Sequence, residues 1–367
     1  MDLKYFEFLI LPTIFLFFMA CSPKLRPYSD TGSKAKIMYP QFADTSHVQY
    51  LLGFTSKSDI ETQSKFQEAL VGKSEETWMR KPYGVTVEKS KIYVADIGLP
   101  GVNIIDLDNQ TYRQFRPVHR NFSFILSMAI DDNDDRYLLD TKSMTVLIYD
   151  ANGAFKEEFK VPENKKPVRI KIKEDKIYIG DITTGTIYIY SKDTHELIDQ
   201  IPKKGVVEGH NNYVYMVMDF DLTDTYIYIL DAGSFQVKIF TYDGELVSSF
   251  GEMGNGYGQF VRPKSIAVDK EGIIMVADAA TNAVQMFNEE GQPLMAFGMP
   301  YELEAGKTVP SLYLPISMII DYNNLEYFKP YVDAKYDLKY VVYVVNQFGG
   351  KKLKAYGRLQ LKSAQDK

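Results

Sequence analysis

The chain alternates short runs of β-branched and aromatic residues with short polar stretches, and no segment keeps a long helical period. The runs recur. Five share a phrase ending in aspartate: Ile92–Asp96, Arg136–Asp140, Ile177–Asp181, Ile227–Asp231 and Ile274–Asp278. Six residues past each aspartate stands a β-branched residue: Val102, Val146, Ile187, Val237 or Val284. Nine past it stands a large apolar one: Ile105, Tyr149, Tyr190, Phe240 or Phe287. A polar turn follows, clearest at Asn152-Gly153, Asp243-Gly244 and Glu290-Gly291, and a short strand then closes at Phe115, Phe159, Ile201, Phe250 and Phe297. Ahead of each aspartate lies a further strand, such as Gly84–Val87, Ser127–Asp131 and Ser265–Asp269. A period of about 45 residues with four short antiparallel strands predicts the blade of a β-propeller.

A sixth, degenerate copy follows. Its strands are Ser317–Asp321 and Val341–Asn346, with Asn346 in place of the aspartate, and Lys352–Tyr356 as a third. This blade is one strand short, and His47–Phe54 resembles the closing strands of the other copies. The expectation is an all-β, six-bladed propeller over residues 46–362, its last blade completed by the N-terminal strand, which removes the ring's open edge. The segment 322–340 of blade six carries Tyr322, Tyr327, Phe328, Tyr331, Tyr336 and Tyr340. They form either an aromatic contact platform or a cover for the blade. Residues 58–78, with Phe66, Leu70 and Trp78, predict a short amphipathic helix that packs as a lid.

Phe250-Gly251, Gly254–Phe260, Arg262-Pro263, Ile266–Asp269, Gly272, Val276–Asp278, Asn282, Val284–Phe287 and Gly291 together resemble the NHL repeat. The stretch Gln49–Asp96, from Tyr50–Gly53 to Lys81–Val85, looks like that of six-bladed propeller lipoproteins of Gram-negative bacteria. The resemblance implies architecture and location rather than a particular chemistry. Residues 8–20 fit the location: they form an uncharged apolar run, shorter than the roughly 20 residues a spanning helix needs. The run ends in Phe18-Met19-Ala20-Cys21, which resembles a bacterial lipobox. Residues 1–20 then read as a signal peptide, Cys21 as the lipidated N-terminus, and 21–45 as a flexible tether. Ser22 after Cys21 points toward the outer membrane, with an outer-membrane or secreted protein as the expected partner.

Composition narrows the chemistry. Forty-two Lys+Arg against 48 Asp+Glu give a net charge of -6, so a general phosphate-binding surface and a nucleic-acid partner are not expected. A single cysteine excludes an internal disulfide, Cys-based zinc and iron–sulfur clusters. No Gly-x-Ser-x-Gly, His-Glu-x-x-His or Walker-type loop is present. The NHL resemblance brings one enzyme type, the peptidyl-hydroxyglycine lyases, whose zinc is held by histidines from several blades. Here His119 and His210 occupy matching loops, but Lys307–Val309 of blade six offers no third, and His47 and His195 lie too far out. The expectation is surface histidines and no metal or cofactor.

The repeated Asp96, Asp140, Asp181, Asp231 and Asp278, with Asn346, read as structural anchors capping backbone N–H groups of their own turns, rather than as a calcium-binding ring. The loops leading into each first strand carry Arg80-Lys81, His119-Arg120, Lys165-Lys166, His210 and Arg262. They form either a basic mouth for an anionic ligand or cations paired with nearby aspartates. Arg80, His119, Arg120, Lys166, His210 and Arg262 are therefore the candidate ligand-binding residues. The reading that follows is a lipid-anchored binding or scaffold module. A metal-dependent lyase or hydrolase in the tunnel, and anionic polysaccharide binding, are the alternatives.

Overall fold

Each run of β-branched and aromatic residues forms a strand in the computed structural model, which describes residues 36–40, 47–61, 78–116, 122–162, 165–299, 302–304, 307–308 and 311–362. The signal and lipidation readings, Cys21, the body of the expected amphipathic helix, His119 and Arg120 lie outside the described residues. Of the 58–78 stretch, a 3-10 turn at Lys57–Asp59 precedes them and Trp78 follows.

Blade one pairs Pro82–Glu88, Lys91–Asp96, Gly101–Asp106 and Thr111–Phe115 in antiparallel order. The same four-strand meander recurs from Ile125–Ile130 to Phe155–Lys160, Pro167–Lys173 to Leu197–Ile201, Val217–Leu222 to Leu246–Phe250, and Pro263–Val268 to Pro293–Phe297. Blade six joins Pro315–Asp321, Tyr336–Asn346 and Leu353–Leu361 to the N-terminal Val48–Phe54, with Met38–Tyr39 outermost. The latch runs antiparallel to the last strand, from Val48 opposite Arg358 to Phe54 opposite Leu353. The ring is a six-bladed, all-β propeller closed by its N-terminal strand, as the period and the missing strand lead one to expect.

Each first strand touches the first strand of both neighbours, so these six line the axis. Second and third strands are sandwiched between blades and buried on both faces; fourth strands such as Phe155–Lys160 lie outside and are largely exposed. This explains the spacing noted above. The residues six and nine past each aspartate are all within 3% of full burial, and they fill apolar clusters that each sit between two adjacent blades. Between third and fourth strands the chain reverses through a residue in the left-handed region, a glycine in blades two, four and five, such as Gly153 at φ 86°, and Gln110 and His195 in blades one and three.

The Tyr-rich insertion proves to be a cover. It turns through Leu325–Phe328 and Lys329–Tyr331 and lies back on blade six, with Phe328 and Tyr340 fully buried and Tyr336 nearly so. The Tyr340 hydroxyl donates to Asp269 of blade five at 2.6 Å, and Asn324 Nδ2 donates to the Lys89 carbonyl of blade one at 2.8 Å. Tyrosine suits the place because its ring is packed while its hydroxyl reaches a neighbouring blade.

Candidate functional site

Two sets of loops share one face of the ring: those leading into the first strands, and those that follow the anchor aspartates. The anchors tie the two together. Asp96 accepts backbone N–H groups from Arg80 (2.7 Å) and Lys81 (3.0 Å) in the lead-in loop, and from Gly98 (2.8 Å) and Leu99 (3.2 Å) in the following turn. Asp140 does the same for Ser123, Phe124, Lys142 and Ser143. Asp181 serves Lys166, Thr183 and Thr184; Asp231 serves Tyr215, Met216, Gly233 and Ser234; Asp278 serves Val261, Arg262, Ala280 and Thr281. Asn346 accepts from Tyr313 N–H at 2.9 Å. These anchors thus cap the lead-in loop as well as their own turn. A buried carboxylate satisfied by several backbone donors fixes both loops relative to the blade.

Besides charged residues, these loops present a set of large apolar side chains. Phe124, Val207, Tyr215, Met253, Tyr257, Val261, Tyr313 and Phe348 are all exposed, and all belong to lead-in or post-anchor loops. The largest display is the loop between blades four and five, where Met253 is 71% and Tyr257 68% exposed. Its shape is held from beneath: buried Gln285 accepts from Gly258 N–H at 3.0 Å and donates to the Gln259 carbonyl at 2.8 Å. Gly251, at φ 98°, has no room for a side chain, since a Cβ would stand 2.9 Å from the Phe235 carbonyl and 2.5 Å from the Phe260 ring. The opposite face carries ion pairs between neighbouring blades, including Lys89–Asp134 (2.5 Å), Lys192–Asp131 (3.1 Å) and Lys173–Asp224 (2.7 Å).

The candidate cations of the apolar face are dispersed over different blades. Lys166, His210 and Arg262 are exposed on blades three, four and five, and His210 Nδ1 accepts from Asn212 N–H at 3.1 Å. Beside Arg262, Lys264 is held below the usual lysine pKa, by burial first and by the Arg262 charge second. Arg80 stands apart from them, beside Arg113 and Arg116 at the rim of blade one. Among the described residues, no three His, Cys, Asp or Glu side chains gather as metal ligands would.

The axis holds a layer that the repeat analysis did not single out. Two residues into each first strand from the residue paired with an anchor stand Gly84, Ser127, Arg169, Asp219, Ser265 and Ser317, all buried. Arg169 Nε lies 2.7 Å from Asp219 Oδ1, an ion pair rather than a linear hydrogen bond, and its Nη1 donates to Ser317 Oγ at 3.3 Å. Blades three and six are opposite in a six-membered ring, so this arginine reaches across the tunnel. Asp219 Oδ2 accepts from Ser265 Oγ (2.6 Å) and Ile266 N–H (3.1 Å), Ser265 Oγ accepts from Met318 N–H (3.0 Å), and Ser127 Oγ accepts from Ile170 N–H (3.2 Å). The layer stitches blade to blade, beside a cavity of about 280 Å³. Its signal was a shared register occupied by differing residues, polar in every blade but the first, which a search for repeated identities passes over.

Comparison with known proteins agrees with this architecture. A domain family described as a 6-bladed beta-propeller, DUF5128, matches residues 219–362. The chain is similar over 85% of its length to a protein of unknown function from Bacteroides thetaiotaomicron VPI-5482, with a TM-score of 0.54, 16% identity and 75% of that chain covered. It is similar over 78% of its length to a streptogramin B lyase, at 0.52 and 11% identity, with 95% of that chain covered. At such identities the likeness is one of fold. Among curated proteins, the E3 ubiquitin-protein ligase TRIM71 of Rattus norvegicus is 49% identical over 45 residues, and Protein lin-41 of Caenorhabditis elegans 42% identical over 45 residues. Each match spans 12% of this chain, and the chain covers 5% and 4% of those relatives.

Proposed function

We propose that the chain is a lipid-anchored, extracytoplasmic propeller of the NHL type that serves as a protein-binding scaffold at the outer membrane, docking its partner on the lead-in face. The observation that carries this reading is the concentration of exposed aromatic and apolar side chains on loops locked by buried aspartates. Ordinary soluble surfaces scatter such residues singly, and Tyr, Phe and Met are favoured at the centres of protein interfaces. Rigid loops lower the entropy lost on docking. The anchor part of the reading is supported by the apolar run before Cys21.

The test is co-purification of the native chain from solubilised outer membrane, beside the double variant Met253→Ser/Tyr257→Ser. The expected result is a stoichiometric protein partner retained by the native chain and lost by the variant, with equal thermal midpoints. A chain that emerges alone, or a partner retained equally by both, would overturn the docking face. Fatty-acid labelling that persists in Cys21→Ser would overturn the anchor.

A further inference from the structure

The chain's charge is sorted between the two faces of the ring. On the lead-in and post-anchor loops, exposed cations stand on each regular blade: Lys81, Lys142, Lys166, Lys204 and Arg262 on blades one to five in turn. Among the described residues, none of these five side chains has a carboxylate within ion-pair distance. Among the described side chains of the same loops, the exposed carboxylates are Glu208, engaged by the Tyr215 hydroxyl, and Glu252, which accepts from Gln259 Nε2 at 2.8 Å. The anchor aspartates lie beneath, but they are buried and their charge is spread over several backbone N–H donors.

The turns at the other ends of the strands carry the opposite sign. They include Asp131-Asp132-Asn133-Asp134-Asp135 of blade two, Glu174-Asp175 of blade three and Glu289-Glu290 of blade five. Lysines on that face meet carboxylates, as Lys89 meets Asp134, whereas Asp132, Glu174, Asp175, Glu289 and Glu290 are exposed and, among the described residues, lack a cation within ion-pair distance. A net charge of -6 is thus the sum of a basic face and a more strongly acidic one.

Within the basic face, Lys264 sits on the axis-lining first strand of blade five, two residues past Arg262. Its Nζ reaches Met218 Sδ at 3.8 Å, and no described carboxylate lies within ion-pair distance of it. Half-buried beside a second cation, this ammonium gains from a carboxylate brought in by a partner. The exposed Met253, Tyr257 and Val261 stand on the same loop as Arg262.

We infer that the lead-in face takes an acidic protein segment, in which Asp and Glu side chains flank aliphatic or aromatic anchors. The anchors pack on Met253, Tyr257 and Val261, and the carboxylates meet Arg262, Lys264 and the cations around the ring. This rests on the docking reading above and adds the partner's chemistry to it. Exposed ion pairs contribute little affinity each, but a face of one sign steers an acidic partner in and rejects basic ones. A second copy of the chain also presents acidic turns, but its docking would be heterologous and would leave a basic face open at the end of every stack.

Selection of short random peptides, displayed on phage, against the full chain tests it, with the recovered peptides synthesised and titrated by fluorescence anisotropy. The expected peptides carry net negative charge with Phe, Leu, Tyr or Met among the carboxylates, and bind more weakly as salt rises. Lys166→Glu/Lys204→Glu/Arg262→Glu and Met253→Ser/Tyr257→Ser should each weaken binding about tenfold or more at the native thermal midpoint. Glu289→Lys/Glu290→Lys, on the other face, should bind within about twofold of the native chain. Neutral or basic peptides that still require Met253 and Tyr257 would overturn the inference and leave the docking face standing. Recovery of no peptide, or of peptides indifferent to both lead-in variants, would overturn the two together. Equal binding of phosphatidylglycerol vesicles, or self-association of the chain, lost in the charge-reversal variant, would assign the cations to a lipid surface or a second copy and overturn the inference.

Discussion

At the residue scale, the aspartate that closes each repeat phrase does more than its position in the sequence shows. Asp278 is fully buried and accepts four backbone N–H groups from two loops of blade five. Asp278→Ala strands those donors away from water, and is expected to cost about 3 kcal/mol. Asp278→Asn keeps one acceptor oxygen, the arrangement blade six already uses with Asn346, and is expected to cost about 1 kcal/mol. Urea unfolding of the two variants checks the difference; equal losses would show that the carboxylate's acceptors are not what holds the loops. The aspartates were legible because the same residue recurs at a fixed spacing. The exposed Met253 and Tyr257 were not, since loops carry no period and an apolar residue in a loop reads the same whether buried or displayed.

At the scale of elements, the latch is the informative strand. All seven residues of Val48–Phe54 are buried, and Phe54 sits in the cluster shared by blades six and one with Met79, Tyr343 and Leu353. Phe54→Ala should lower stability by about 3–5 kcal/mol, because the cavity opens at the seam that closes the ring. Chemical denaturation with an unchanged m-value would support that; a loss below about 1 kcal/mol would mean the seam is held elsewhere. The sequence announced this element by an arithmetic gap, five blades of four strands and one of three. It left the insertion 322–340 open because tyrosines that cover a blade and tyrosines that greet a partner have the same composition. Only the buried ends of Tyr340 and Phe328 decide between them.

For the whole molecule, closure rests on apolar seams between blades and on one polar layer around the axis. Arg169→Met leaves Asp219 buried and uncompensated, so a loss of about 3–5 kcal/mol is expected. Arg169→Met combined with Asp219→Asn removes the stranded charge while keeping an acceptor for Ser265 and Ile266, and should recover more than half of that loss. Thermal and urea unfolding of the single and double variants measure the coupling; simple additivity would show that the pair does not act as one unit. The latch adds an order in time. His47 and Arg358 are 311 residues apart yet hydrogen-bonded, so joining them costs roughly 5 kcal/mol of closure entropy, and the last strand must exist first. During synthesis the latch strand Val48–Phe54 therefore lacks its partner in blade six until Leu353–Leu361 has been made, and the ring shuts only after that.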